Sequence, residues 1–589
     1  MIRLFVLTLL LACAGEASAQ TAWTPTVFTS DAGETIAAET TTITVPQRHE
    51  APGGPTITLP VVRLRSTAAH PGPPIVYLAG GPGNSGLRRA RQELFPVMLR
   101  LREAGDVVIF DQRGTGAATP SLMLAGAFDL PSDKPMRSPE AMARLNEVAT
   151  TGAADIKARG IDLSAYNTAQ SVEDVEAIRA ALGTAKIDLW GHSYGSHLGL
   201  AYLKAHPDRV DRAVLGGVND LGARWRLPAD GDALLVRIDA ALKADPRMAE
   251  RIPDFLALVR RVMAHLDAHP ETVVVGGKSL YLGREELQVL IALNAGDLFF
   301  VRGLPAMFAA MDKGDFSRVA QAAQQVRAAP LDTAMRQGMH IASGVSPRRE
   351  QLIEGQRATA LMGDAINFPY NTPTFRQAWG VADLGEAFRA PAASNVPVLF
   401  MNGEFDGRTS VREARETAAR FRRGCFSEMG GVSHDFYGFS PKVVAAMLAF
   451  YGAGACPPPR IEVLAPEFRS PDDADLLKTI GVTLTFKGQD AAVAQMRQLA
   501  AAKSGPLFNV ASARTAGQVA ENQLKNPAAA AALLEAADQI WPGDFAITRQ
   551  LALLYRKLGD KPHALLRFQG LKAINPLTPG IDKDIASVS

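Results

Sequence analysis

The amino-acid sequence predicts an α/β protein with an open, doubly wound sheet. Three observations point there. Short runs that are apolar throughout recur along the chain, in "PPIVYLAGG", "GDVVIFDQRG", "AKIDLWGHS", "VDRAVLGGV" and "NVPVLFMNG". Strands buried on both faces of a parallel sheet need such runs. Helical segments lie between several of them. Ahead of them, "TTITVPQRHE" and "PTITLPVVRLRST" are β-rich and separated by the turn "APGGP", which suggests antiparallel strands at one side of the sheet.

The elements follow in order. The first buried strand ends near Leu78 and the second at Phe110. "SVEDVEAIRAALG" reads as a helix with Ser171 as N-cap, Asp174 three residues on and Gly183 beyond its end. Its residues Val172, Val175, Ile178 and Leu182 share one face. The run Ile187 to Trp190 is a third strand, and "SYGSHLGLAYLKAHP" a helix leaving the turn at Gly195. From residue 219 to 395 the alternation breaks into mostly helical segments such as "GDALLVRIDAALKADP" and "RIPDFLALVRRVMAHLDAHP". A simple strand-to-strand link does not need so many residues. The stretch therefore reads as an inserted helical cap that roofs a pocket and selects substrate, with an inert packing domain as the alternative. The core is then 20–218 together with 396–456.

Beyond "CPPPRIEVLAPEF" a proline cluster marks a boundary, and residues 457–589 form a C-terminal helical region. The pair within "AITRQLALLYRKLGDKPHALLRFQGLKAINPLTP" has the Leu/Ala spacing and closing "NP" of a tetratricopeptide unit. One such unit cannot make a solenoid, because neighbours must cover each other's faces. The expectation is a small appendage packed on the body, with protein contact through these helices as the alternative.

A chain of 589 residues is too long for one simple core. Hydrophobic residues make up 47% and charged residues 21%, which is globular rather than disordered. The formal net charge is +2, so nothing suggests nucleic acid or an anionic membrane as partner. Residues 1–19 read as a signal peptide: Arg3, an apolar run from Leu4 to Ala12, and the small residues Ala17 to Ala19. This predicts a secreted or periplasmic protein. A lipid on Cys13 is the second reading of the leader. No later segment is apolar for long enough to cross a membrane. Cys425 and Cys456 remain, and an oxidising compartment lets them pair as a disulfide, the alternative being two buried free thiols. Without a histidine cluster they make no zinc site, and no metal or cofactor is expected.

The chemistry centres on "IDLWGHSYGSHLG". Ser193 follows an apolar run and precedes a helix, and Gly191 and Gly195 supply the small neighbours that a sharp strand-to-helix turn needs. A developing oxyanion needs two donors. Tyr194 N–H is one, and "LAGGPGNSG" supplies the other from Gly81, or else Gly80. "VLFMNGEFDGRTS" places Asp406 beyond a late strand, and "MGGVSHDFYG" places His434 on a glycine-rich loop. The order Ser193, Asp406, His434 suits a nucleophile, an acid and a base on this kind of sheet. Glu404 is the alternative acid. Asp435 is poorly placed to orient the histidine, and His192 and His197 read as structural. Arg113 in "DQRG" reads as a buried ion-pair partner.

Together "GGPG" at Gly80 to Gly83, "DQRGTG" at Asp111 to Gly116, "GHSYG", "GEFDGRTS" and "GGVSHDF" resemble the α/β-hydrolase peptidases typified by proline iminopeptidase and the secreted tripeptidyl aminopeptidases. The resemblance runs from about Thr42 to Tyr451. It implies an α/β-hydrolase fold, removal of N-terminal residues from short peptides with a free N-terminus, an acyl-enzyme and no metal. It also implies acidic cap groups for the substrate ammonium, for which Asp220, Asp364 and Glu404 are the candidates. Ala79 stands where proline iminopeptidases commonly carry histidine, which fits the secreted relatives better. Trp379 and Phe368 would line an apolar subsite or else pack in the core. A carboxylesterase uses the same triad and is the competing enzyme, and a binding module working through its C-terminal helices is the competing class.

Overall fold

A computed structural model describes residues 22–589. The expected signal peptide and Cys13 lie outside the described residues. Twelve strands run in chain order: β1 (Thr24–Thr29), β2 (Thr35–Pro46), β3 (Thr56–Leu64), β4 (Ile75–Leu78), β5 (Val107–Phe110), β6 (Ile187–His192), β7 (Val210–Gly216), β8 (Glu271–Val275), β9 (Lys278–Leu282), β10 (Val398–Gly403), β11 (Gly424–Gly430) and β12 (Arg460–Glu462). Ten of them form one mixed sheet in the order β1-β2-β3-β5-β4-β6-β7-β10-β11-β12. The β1–β2, β2–β3 and β3–β5 pairs are antiparallel, and the pairs from β5 through β12 are parallel.

The continuous apolar runs have a direct cause. Successive side chains of a strand point to opposite faces. Val76 and Leu78 of β4 enter the core on one face, while Ile75 and Tyr77 enter the core on the other. In β5, Val108 and Phe110 oppose Val107 and Ile109, and in β10, Val398 and Phe400 oppose Leu399 and Met401. Each such side chain contributes roughly 1.5–3 kcal/mol by leaving water. A polar residue on either phase of these strands would give that up.

The helix expected from Ser171 starts earlier, at Thr168, and runs to Ala181. Its N-cap is Asn167, extended in backbone, whose side chain accepts from the Gln170 amide. Ser171 is buried in the second turn. Asp174 is no capping acid. It takes a bidentate hold on Arg113, Oδ2 to Nε at 2.7 Å and Oδ1 to Nη2 at 2.6 Å, and also meets His49 Nε2 at 2.9 Å. Arg113 donates further to the Gln47 and Ala165 carbonyls. This buried ion pair ties the "DQRG" turn to the helix beneath it. Burial pushes the Asp174 carboxyl up, but the Arg113 charge and the hydrogen bonds of Arg113 and His49 outweigh it and hold it below the usual range.

Between β7 and β10 lie helices at Pro228–Ala244, Phe255–Ala268, Arg284–Asn294, Leu298–Asp312, Ser317–Arg327, Ala334–Ser343 and Pro347–Arg357, with shorter turns among them. They share the main core with the sheet through Leu235, Phe255, Leu290 and Met335. The stretch is not wholly helical. β8 and β9 pair as an antiparallel hairpin across Gly276 and Gly277, both at positive φ. Phe368 and Trp379 are buried in the main core.

After β12 the chain is helical from Asp473–Lys487 to Ile581–Val588. The helices Phe545–Leu558 and Lys561–Ile574 are joined at Gly559, which adopts the left-handed conformation. This region returns to the body. Asn575 Nδ2 donates to the Gly438 carbonyl at 2.8 Å, and Lys583 Nζ donates to the Ala32 carbonyl at 2.9 Å. Cys425 in β11 and Cys456 beyond the helix Pro441–Ala453 form a disulfide with Cα atoms 5.8 Å apart. No helix among the described residues is long and apolar enough to cross a membrane, and no group of three or more metal-ligating side chains occurs among them.

Candidate active site

The carboxyl ends of β4, β6, β10 and β11 lie on one edge of the parallel sheet, where open α/β sheets form their crevice. Each feeds one functional segment. β6 ends at His192, and Ser193 follows at φ 57° and ψ −121° before the helix Tyr194–Ala205 begins. A non-glycine residue held there stores strain that the surrounding structure must enforce. The enforcement is close packing. A Cβ at Gly195 would sit 1.8 Å from the Leu78 carbonyl oxygen, and one at Gly191 would sit 2.4 Å from the Gly195 carbonyl oxygen. The helix can approach β4 only without those side chains. Ser193 N–H donates to the Gly216 carbonyl at 2.9 Å, which pins the turn to β7.

The glycine loop after β4 lies against the serine. A Cβ at Gly80 would come within 3.0 Å of Ser193 Cβ and 3.7 Å of its Oγ. Gly81 takes φ +110°. The amides of Gly81 and Tyr194 have no acceptor in the hydrogen-bond network of the described residues. Tyr194 opens the helix, so its N–H belongs to the unsatisfied first turn.

β10 leads to Asp406, which is buried. Its Oδ1 accepts from the amides of Arg408 at 2.7 Å and Thr409 at 2.9 Å, and its Oδ2 accepts from the Thr409 hydroxyl. His434, on the loop after β11, meets the same Oδ2 through Nδ1 at 2.8 Å. Burial alone would raise the Asp406 carboxyl. The His434 charge and the bonds from His434 and Thr409 prevail and hold it below the usual range. With Nδ1 engaged by a carboxylate, Nε2 of His434 is the nitrogen left for other partners. The imidazole packs against Gly217: a Cβ there would lie 2.8 Å from His434 Cε1 and 3.1 Å from His192 Cε1. Gly216 and Gly217 thus bridge the serine turn and the histidine. The Ser193 hydroxyl has no hydrogen-bond partner among the described residues, and His434 is bonded through Nδ1 to Asp406, so the serine–histidine bond is not closed. Such bonds often tighten only with substrate.

The neighbouring histidines have other surroundings. His192 lies 4.7 Å from the His434 ring and packs edge-on to Phe436 and Tyr437. Burial lowers its basicity, although Asp435 Oδ1 stands 3.3 Å from its Nε2. His197 is buried inside the helix and pushed down to about 3, by burial first and then by Arg224.

The three carboxylates expected to hold an ammonium each face an arginine instead. Asp220 pairs with Arg420, Asp364 with Arg357 at 3.4 Å, and Glu404 with Arg460 at 2.9 Å. Asp364 also accepts from Asn367 and Asn371, and Glu404 from the Gly431 amide. None is left free for a substrate cation.

Cations that the sequence does not single out lie instead near His434 and the glycine loop. Arg408 follows Asp406 by two residues. A Cβ at Gly296 would sit 2.6 Å from Arg408 Cγ and 3.1 Å from His434 Cβ, so the two side chains flank one glycine. Arg336, in the helix Ala334–Ser343, crosses the glycine loop, with its Nε 3.9 Å from a Cβ placed on Gly83. Arg224 lies on the segment after β7, near enough to Arg226, Arg408, Tyr370 and Tyr194 for their charges to act on it. The signal was local: Arg408 stands inside the "GEFDGRTS" motif and Arg224 on a loop after a core strand.

Comparison with known proteins places the chain. Residues 73–276 match the family described as alpha/beta hydrolase fold. The serine protease Hip1 of Mycobacterium tuberculosis is 31% identical over 189 residues, 31% of this chain and 36% of that protein. The tripeptidyl aminopeptidase of Streptomyces lividans is 33% identical over 184 residues, 30% of this chain and 34% of that protein. The proline iminopeptidase of Xylella fastidiosa is 30% identical over 156 residues, 26% of this chain and 35% of that protein. The matches thus span 34–36% of the length of these relatives. Residues 73–276 thus match the alpha/beta hydrolase fold, and the chain is related at moderate identity to serine peptidases of the proline iminopeptidase and tripeptidyl aminopeptidase type.

Proposed function

We propose that this protein is a serine hydrolase that cleaves N-terminal residues from short peptides through an acyl-enzyme. One observation carries the hydrolase reading: Ser193 at positive φ, beside a glycine loop and bridged by Gly216 and Gly217 to a histidine paired with a buried carboxylate. The names of the relatives support peptides as substrates.

Each group has a role. His434 Nε2 takes the Ser193 proton as Oγ attacks the scissile carbonyl. Asp406 fixes the tautomer through Nδ1–H and stabilises the imidazolium. The N–H groups of Gly81 and Tyr194 receive the oxyanion, and one such donor contributes roughly 3 kcal/mol to the transition state. His434 then gives its proton to the leaving amine. A water deprotonated by His434 attacks the acyl-enzyme and releases the acid, returning the proton to Ser193.

The cap roofs the crevice in this reading and sets substrate length. The C-terminal helical pair is a tetratricopeptide-like unit that packs on the body. The Cys425–Cys456 bridge fits an oxidising compartment, secreted or periplasmic. A second reading, a carboxylesterase, draws support from the arginine partners of Asp220, Asp364 and Glu404, since an ester substrate brings no ammonium to desolvate.

A panel on the purified protein separates the two. It holds alanine and proline amides with free N-termini, the same compounds acetylated, and short-chain esters. The aminopeptidase reading expects turnover that acetylation abolishes. Turnover of esters alone overturns it.

A further inference from the structure

We infer that the arginines beside the serine form a binding subsite for a carboxylate of the substrate, so that the enzyme prefers peptides carrying a negative charge near the scissile bond. This deepens the proposed function and rests on it for the substrate being a peptide.

The argument begins with pairing. Most arginines of this chain meet a carboxylate, as Arg113, Arg349, Arg420, Arg460 and Arg514 do. Arg224 meets none. It has no hydrogen bond among the described residues, and its Nε is fully enclosed. The Arg408 guanidinium donates only to the main-chain carbonyls of Ala292 and Leu293. Arg336 has a single acid, Asp332, while its Nε is enclosed without a partner. Arg226 adds a fourth cation nearby, and its guanidinium bonds only Asn219 Oδ1 and the Ala223 carbonyl. The acids of the neighbourhood have other partners, Asp406 with His434, Asp332 with Arg336 and Glu413, whose charge reaches Arg226, with Arg349.

Arg224, Arg336 and Arg408 are half-buried, so solvent reaches each of them, while the atoms around them are protein. Cations held this way repel one another and are poorly hydrated. Burial, then the charge of Arg226, brings the Arg224 guanidinium down to about 9, and burial brings Arg226 down to about 10. A folded chain does not gain stability from that arrangement. An anion seated among the guanidiniums would relieve the repulsion and supply charge-assisted hydrogen bonds, which planar guanidinium forks give bidentately to carboxylates. The position favours substrate over a stray ion. Arg408 shares Gly296 with the base, and Arg336 crosses the loop that faces the serine. Tyr370 stacks on His340 at 3.7 Å beside the same charges and gives the subsite an aromatic wall.

The carboxylate has two sources, the C-terminus of a short peptide or an acidic side chain. Calorimetry with the full-length protein first asks whether the subsite exists, using glutarate against glutaramide. We expect glutarate to bind at least tenfold more tightly, and the preference to fall within twofold in Arg224→Gln. Arg336→Gln, on a different element, should give the same loss, and Arg224→Lys should keep part of the preference. Equal binding of the two probes, or a preference unchanged in folded R224Q and R336Q, overturns the inference. Two peptide pairs then locate the charge: trialanine against its C-terminal amide, and Ala-Glu-Ala amide against Ala-Gln-Ala amide. A tenfold kcat/KM ratio in the first pair assigns the C-terminus, and in the second the side chain. Cleavage of both pairs at equal rates overturns the preference. If no peptide is cleaved, the peptidase reading fails, and the glutarate result still decides the subsite.

Discussion

The floor of the crevice and the wall beside it treat charge in opposite ways. On the floor, Asp406 and Arg113 are matched. Asp406 receives two amides, a hydroxyl and the His434 ring, and Arg113 is locked to Asp174 beneath the "DQRG" turn. On the wall, Arg224 stands without an acid, and the Arg408 guanidinium has only carbonyls. A matched network preorganises a reaction, because its dipoles need not move when charge develops. An unmatched one costs stability until something binds. In the proposed function the floor carries the chemistry and the wall the recognition.

Substitutions can break that contrast, and the largest effect belongs to the floor. Ser193→Ala should lower kcat on every substrate by about 10⁴-fold or more, with unchanged thermal unfolding. Steady-state kinetics on the substrate panel checks it, and near-normal turnover contradicts the nucleophile. Asp406→Asn should follow with a loss on the order of 10³–10⁴-fold, because an amide favours the wrong imidazole tautomer. The same kinetics, in a folded variant, measures it.

Stability sharpens the comparison next. Arg113→Met strands a buried carboxylate and should cost about 3–5 kcal/mol in denaturant unfolding. Arg224→Met removes an uncompensated cation and should leave stability unchanged or raise it by about 1–2 kcal/mol. Similar losses in both would erase the distinction between floor and wall. Reducing the Cys425–Cys456 bridge, which closes a loop across a separation of 31 residues, should cost about 3–4 kcal/mol.

The smallest effect is on pH. Asp174 and Asp406 titrate below the ordinary carboxylate value of 3.8 in the folded state. The unfolded chain therefore binds more protons just below that value. Stability from these two groups is complete above it and declines as pH falls through their lowered values. Acid unfolding of Arg113→Met should show a shallower slope in that window.

Much of this was legible before any coordinates. Apolar runs such as Ile75–Leu78 and Val107–Phe110 announce strands buried on both faces, because neither phase of the alternation is polar. Ser193 was legible because its strand, its glycines and its helix are contiguous. Asp406 and His434 were legible by order along the chain. The partners of Asp220, Asp364 and Glu404 were not, since Arg420, Arg357 and Arg460 reach them through tertiary packing. The arginine wall stayed hidden for the same reason: Arg224, Arg336 and Arg408 come from three separate segments. The β8–β9 hairpin falls inside a stretch that reads as helical, although "VVVGGKSLYL" carries two alternating runs around a Gly-Gly turn, a short-range signal set among long helices. The start of the helix Thr168–Ala181 is ambiguous in the sequence because Ser171 and Asn167 both suit a cap, and only Asn167 has the extended backbone that one requires.

The central claim is that Ser193 is made nucleophilic by His434. Its most direct measurement is reaction of the full-length protein with a fluorophosphonate, followed by mass spectrometry of the labelled peptide. The account predicts one adduct, on Ser193, formed at least a hundredfold more slowly in a folded His434→Ala variant. An adduct on another residue, or labelling of Ser193 at an unchanged rate without His434, would contradict it.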